Sequence, residues 1–135
     1  MNDDYVGTVP EWTKIAESDL AIAKHLFENL RPIPLEIICF HAQQSGEKML
    51  KAFWVFKGLI PKKTHDLQVL LEKCIEFESG FSELLRASVN LTRYGVMPRY
   101  PTGYDLDEAD AQIALKYADN IMEYVSGLIS GGNQS

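Results

Sequence analysis

The chain has 135 residues, 46% of them hydrophobic and 24% charged, which is the make-up of one globular domain with a real core. Its 19 acidic residues against 13 Lys plus Arg give a net charge of −6, which excludes nonspecific coating of nucleic acid by a basic surface. The first residues lack the basic and apolar regions of a secretory signal, and no apolar run reaches bilayer length, so a cytoplasmic protein without a membrane segment is expected.

Residues 8–130 are expected to form the domain, with flexible ends at 1–7 and 131–135. Thr8 followed by Glu11 is a capping box, and Pro10 stands in the first turn, where its missing N–H costs nothing. Trp12, Ala16, Leu20, Ala23, Phe27 and Leu30 then recur at helical spacing, and Pro32 and Pro34 end this first helix near Arg31. A second helix is predicted from about Leu35 to Lys57, with Ile38, Ala42, Ser45, Met49, Ala52, Phe53 and Phe56 on one stripe and Gly58 and Pro61 after it. Phe40 and Trp54 fall roughly opposite that stripe, so this helix needs a second partner, and both are candidate interface residues.

Thr64 is expected to cap a short helix carrying Leu67, Leu70, Leu71, Cys74 and Ile75. Ser79–Gly80 marks a turn, and a further helix carries Phe81, Leu84, Leu85, Ala87, Val89 and Leu91. The Pro- and Gly-containing segment from Arg93 to Tyr104 is irregular. Asp105 with Glu108 reads as a second capping box, opening a last helix that turns Leu106, Ala109, Ile113, Tyr117, Ile121, Tyr124 and Leu128 inward. The pattern is all-α: an antiparallel up-and-down four-helix bundle with one short additional helix.

The cations are unevenly distributed. Lys48–His65 and Leu84–Tyr104 contain no acidic residue, yet hold Lys48, Lys51, Lys57, Lys62, Lys63, Arg86, Arg93 and Arg99. If folding joins these segments, they make a local anion-attracting surface on an acidic molecule. His41, Gln44, Lys48 and Lys51 share a helix sector about 80° wide. That row is either a solvated face or a ligand surface, and Glu47 is spaced to pair with Lys51. Lys62, Lys63 and His65 stand at the start of the third helix, where free N–H groups favour anions. Arg93 and Arg99 suit phosphate, and Tyr100 is able to stack on a base.

Catalytic machinery is sparse. The histidines His25, His41 and His65 are far apart, and no Gly-rich phosphate loop or nucleophile elbow occurs. Cys39 and Cys74 are single cysteines that suit a core, with neither zinc nor a disulfide expected. Asp105, Asp107, Glu108 and Asp110 suit a helix start better than a metal site.

Three segments in this order resemble the HEPN domain family: His41-Ala-Gln-Gln-Ser-Gly-Glu-Lys-Met-Leu-Lys51, Lys63-Thr-His-Asp-Leu67 and Arg99-Tyr-Pro101. The similarity spans about Trp12 to Ile129. It implies an up-and-down bundle, homodimers formed through helix faces, and involvement with nucleotides or RNA. It also implies pairing with a minimal nucleotidyltransferase, sometimes as toxin and antitoxin. Some members are metal-independent ribonucleases that use an Arg followed four to six residues later by a His. Here the last histidine is His65, so Arg86, Arg93 and Arg99 have none after them, and Arg31 lies too far ahead of His41.

The expected function is therefore a non-catalytic nucleotide- or RNA-binding module, without a cofactor. Its candidate ligand residues are His41, Gln44, Lys48, Lys51, Lys62, Lys63, His65, Arg93, Arg99 and Tyr100. The alternatives are a homodimeric protein-interaction subunit and a ribonuclease using His41 or His65 in another arrangement.

Overall fold

The computed structural model describes residues 6–95 and 105–132, and every regular element among them is helical. Helix α1 spans Val9–Asn29, α2 Leu35–Phe56, α3 Leu67–Phe77, α4 Leu85–Thr92 and α5 Glu108–Gly132, with a 3-10 helix over Ser79–Leu84. The expected start of α1 is present in full: the Thr8 amide donates to Glu11 Oε1 at 2.8 Å, and the Glu11 amide donates to Thr8 Oγ1 at 3.3 Å. Val6 and Gly7 lie against Trp12, and α5 continues to Gly132.

The central element is α2, which touches all four other α-helices. Its stripe from Ile38 to Phe53 is buried as the periodicity requires, and Ser45 on it donates to the Ala16 carbonyl of α1 at 2.8 Å. Gly46 faces the other side. A Cβ there would lie 3.0 Å from a Leu67 methyl and 3.2 Å from methyls of Leu91 and Ile121, so α3, α4 and α5 all converge on this one position.

Three local expectations are corrected. Asp66, not Thr64, caps α3: its carboxylate accepts from the Gln68 amide, while Thr64 Oγ1 accepts from the Asp66 amide just ahead of the helix. The helix expected from Phe81 is split, because its first part winds as a 3-10 helix. Three residues per turn set Phe81 and Leu84 directly above one another, both buried, with the Phe81 ring edge-on to Phe53 and Tyr124. The capping pair of α5 is Asp107 and Asp110, each accepting from the other's amide, two residues beyond the expected pair.

The inward face of α5 also differs from the expected one. Ala111, Ala114, Ala118, Ile121 and Val125 are buried, whereas Ile113 is 43% exposed and Ala109 is in water. Small residues let α5 approach α2 closely, and the larger Tyr117, Tyr124 and Leu128 pack half-buried along its flanks.

Candidate functional site

Packing on several sides leaves α2 no fully solvated face. Of the row His41, Gln44, Lys48 and Lys51, none is exposed: Lys51 is buried at 7%, and the other three are half-buried. The reading of this row as a solvated face is therefore corrected. Two carboxylates organise it. Asp19 of α1 lies 2.8 Å from Lys48 Nζ through one oxygen and 3.0 Å from His41 Nδ1 through the other. Glu47 of α2 lies 2.9 Å from Lys51 Nζ and 2.9 Å from His65 Nδ1, again one oxygen to each. Each acid thus holds one lysine and one histidine. An ionised carboxylate only accepts, which assigns the Nδ1 proton to both rings.

Gln43 completes the second group. Fully buried, it donates to Glu47 Oε1 and to the His65 carbonyl, each at 3.0 Å, and its Oε1 accepts from Gln44 Nε2 at 2.6 Å. Burial alone would raise the Glu47 carboxyl. Hydrogen bonds from Gln43, His65 and Lys51, together with the Lys51 charge, outweigh it and hold the group below its ordinary value of 4.5.

Asp19, Glu47 and Gln43 were not among the expected site residues. For Asp19 the sequence did hold a signal: it stands three residues after Ala16 and four before Ala23, a carboxylate inside an apolar stripe. Its partners, 22 and 29 residues away, carry no such mark.

The two acid-free segments meet beside the Glu47 group. The Leu67 amide donates to Thr92 Oγ1 at 3.0 Å, joining the start of α3 to the end of α4. At Gly95 a Cβ would lie 3.3 Å from His65 Cβ and 3.7 Å from Gln43 Nε2. Arg93 is exposed, with its guanidinium 5.3 Å from the ring centre of buried Tyr94. Arg99 and Tyr100 lie outside the described residues. Lys57 is directed elsewhere, over the rings of Phe53, Phe56 and Phe77.

Lys62 and Lys63 are exposed, and among the described residues neither forms an ion pair. With Lys51 they line a cavity of about 490 Å³ between the start of α1 and the α2–α3 connection. Trp12, expected as an ordinary face residue of α1, forms part of its wall, with Lys51 Nζ 5.8 Å from the ring centre.

Of the candidate interface residues, Phe40 is half-buried, its ring edge-on to His41 at 5.6 Å. Trp54 is 8% exposed and donates its indole N–H to the Leu70 carbonyl, so the partner its side of α2 meets is α3 of the same chain. His25 is an exposed residue that meets Asn29 of its own helix. Among the described residues, no three His, Cys, Asp or Glu side chains are placed to share a metal ion, and no helix is long and apolar enough to cross a membrane.

This helical arrangement has known counterparts. The family model described as "HEPN domain" matches residues 9–128. A Methanocaldococcus jannaschii protein named "Putative toxin MJ1304" is 29% identical over 132 residues, covering 86% of this chain and 84% of its own. The crystal structure of ST0689, "an archaeal HEPN homologue", superposes with a TM-score of 0.73 at 28% identity, covering 91% of this chain and 98% of its own. TT1696 from Thermus thermophilus shares the fold, with a TM-score of 0.76 at 24% identity over 88% of this chain and 96% of its own. With nearly the whole helical body matched, the chain belongs to the HEPN domain family.

Proposed function

We propose that this HEPN protein is a non-catalytic, cytoplasmic module that binds a nucleotide or RNA, within a toxin–antitoxin-like pair whose other member is a minimal nucleotidyltransferase. The likeness to the protein named "Putative toxin MJ1304" supports the toxin-like setting. The observation that carries the binding reading is the pair Lys62 and Lys63, without a carboxylate partner among the described residues, beside the place where Thr92–Gly95 returns to His65. Lys48 and Lys51 serve this site indirectly, since Asp19 and Glu47 balance their charges. The ligand's phosphate is met first by the loop lysines, while the Gln44, His41 and His65 side chains supply orientation.

Amide chemical-shift mapping with AMP and with a short single-stranded RNA tests this. Shifts concentrated at 41–51, 62–67 and 92–95 are expected. Shifts confined to α5 and to the part of α1 beyond Ala16 overturn the reading. An RNA-cleavage assay run alongside, with His41→Ala and His65→Ala, detects catalysis, and histidine-dependent cleavage refutes the non-catalytic part.

A second reading, a homodimeric interaction subunit, is favoured by large aliphatic side chains left in water on adjacent helices. Ile22 of α1 is 43% exposed and Ile37 of α2 is 40% exposed, with half-buried Phe40 on the same helix as Ile37. Sedimentation decides it, because a monomer at micromolar concentration removes it.

A further inference from the structure

The cavity beside α1 has more structure than a patch of lysines. Trp12 is held at its edge: its indole N–H donates to the Val6 carbonyl at 2.7 Å. Gly7 wraps that edge at φ +83°, where a Cβ would stand 2.9 Å from the indole nitrogen. The ring's one polar group is therefore satisfied and its position set, so what it presents to the cavity is aromatic carbon. Ile15 of α1 and Ile60 of the connection line the same space, at 48% and 69% exposure. Lys51 Nζ stands 5.8 Å from the centre of the Trp12 ring, while Ile15 and Ile60 remain open to water.

The charges are arranged across the space. Glu11, on the α1 side, is tied back to the Thr8 amide. Lys62 and Lys63 belong to the part of the lining that the α2–α3 connection supplies, and have no carboxylate partner among the described residues. Lys51, also on the lining, shares its charge with Glu47. An anion entering this cavity is repelled by the α1 side and attracted by the loop side. A flat apolar group attached to that anion then lies toward Trp12.

We infer that the cavity between the start of α1 and the α2–α3 connection is a subsite for one phosphorylated nucleoside, its base against Trp12 and its phosphate on Lys62 and Lys63. This rests on the nucleotide-binding reading above and adds the base contact, which the lysines do not require. The volume of about 490 Å³ suits one nucleotide and falls within the range of small-ligand sites. A face that stacks without hydrogen-bond readout accepts any base. Both a free nucleotide and one unpaired nucleotide of an RNA strand have this chemistry. A duplex does not, since its bases are stacked away from the ring, and the chain's net charge of −6 opposes a long polyanion.

The chain has two tryptophans, so Trp54→Phe leaves Trp12 as the only one reporting fluorescence. In that background AMP, inorganic phosphate and a 5′-phosphorylated oligoribonucleotide are titrated. AMP is expected to quench Trp12 saturably, whereas inorganic phosphate is not. Trp12→Leu is expected to weaken AMP about tenfold, the scale of one base–aromatic stack, and to leave phosphate affinity unchanged. Lys62→Ala with Lys63→Ala, both on an exposed loop, is expected to weaken AMP and phosphate alike. Quenching by the oligoribonucleotide and not by AMP assigns the subsite to an RNA strand. If AMP or RNA shifts other amides while Trp12 fluorescence and the Trp12→Leu affinity do not change, the subsite is refuted and the binding reading survives. If neither ligand shifts any amide, both fall.

Discussion

Lys51 Nζ lies 2.9 Å from Glu47 Oε2, and the two side chains retain only 9% and 4% of their exposure. A pair this withdrawn from water is costly to break from one side. The two partners differ in support, because Glu47 also receives Gln43 and His65, whereas Lys51 has no second carboxylate among the described residues. Glu47→Leu strands the lysine and is expected to cost about 3–5 kcal/mol. Lys51→Met leaves Glu47 with two donors and replaces the stem, and is expected to cost about 1 kcal/mol. Urea unfolding of both variants measures the asymmetry, and equal losses contradict it.

The same carboxyl makes stability depend on pH in a fixed direction. Its value is lowered in the folded protein, so the unfolded chain binds the proton more readily. The stabilisation is complete above the ordinary value of 4.5 and fades as pH falls from there through the lower folded value. The stability gap between the protein and Glu47→Gln is expected to be constant above that point and to narrow below it. Urea midpoints at a series of acidic pH values check this, and a gap that widens on acidification reverses the sign.

Two glycines on helices should respond oppositely to alanine. At Gly46 the new methyl meets side chains of Leu67, Leu91 and Ile121, all fully buried, within 3.0–3.2 Å. Overpacking of about 1–3 kcal/mol is expected to exceed the helix-propensity gain of roughly 1 kcal/mol. At Gly127 on α5 nothing lies within 4 Å, so Gly127→Ala is expected to stabilise by about 0.5–1 kcal/mol. Thermal denaturation of the two variants gives both signs.

The thiols should be silent in the native fold. Cys39 and Cys74 are wholly buried, and that burial pushes both up to about 12; for Cys39 the Asp110 charge adds to it, against a hydrogen bond with Tyr94. A disulfide reagent at mildly alkaline pH is expected to label neither residue in buffer and both in urea, because the thiolate is the reacting form. Rapid labelling of one residue in buffer would show that its side of the core opens.

The helices were legible wherever one face carried large apolar residues. Pro32 and Pro34 stop α1, and the stripe from Ile38 to Phe53 is one of the buried sides of α2. The buried face of α5 is not the one its large apolar residues predict, because burial there falls on alanines, whose small side chains mark close approach of α2 rather than strong hydrophobicity. The cap of α5 lies two residues beyond the expected pair, because four carboxylates crowd the helix start and only backbone geometry selects Asp107 and Asp110. The row on α2 was legible as a set, but its burial was not, since that depends on α1 and on the α2–α3 connection.

Order of residues along the chain was enough for the helical class, the boundaries of α1 and α2, the family resemblance and the clustering of cations, because each is a local pattern or a periodicity that survives without tertiary context. Tertiary structure alone decided that Asp19 and Glu47 balance Lys48 and Lys51, and that Lys62 and Lys63, which line one cavity with Trp12, have no carboxylate partner among the described residues. Charge compensation acts through space over a few ångströms, and contacts such as Asp19 with Lys48, 29 residues apart, exist only once the helices have packed.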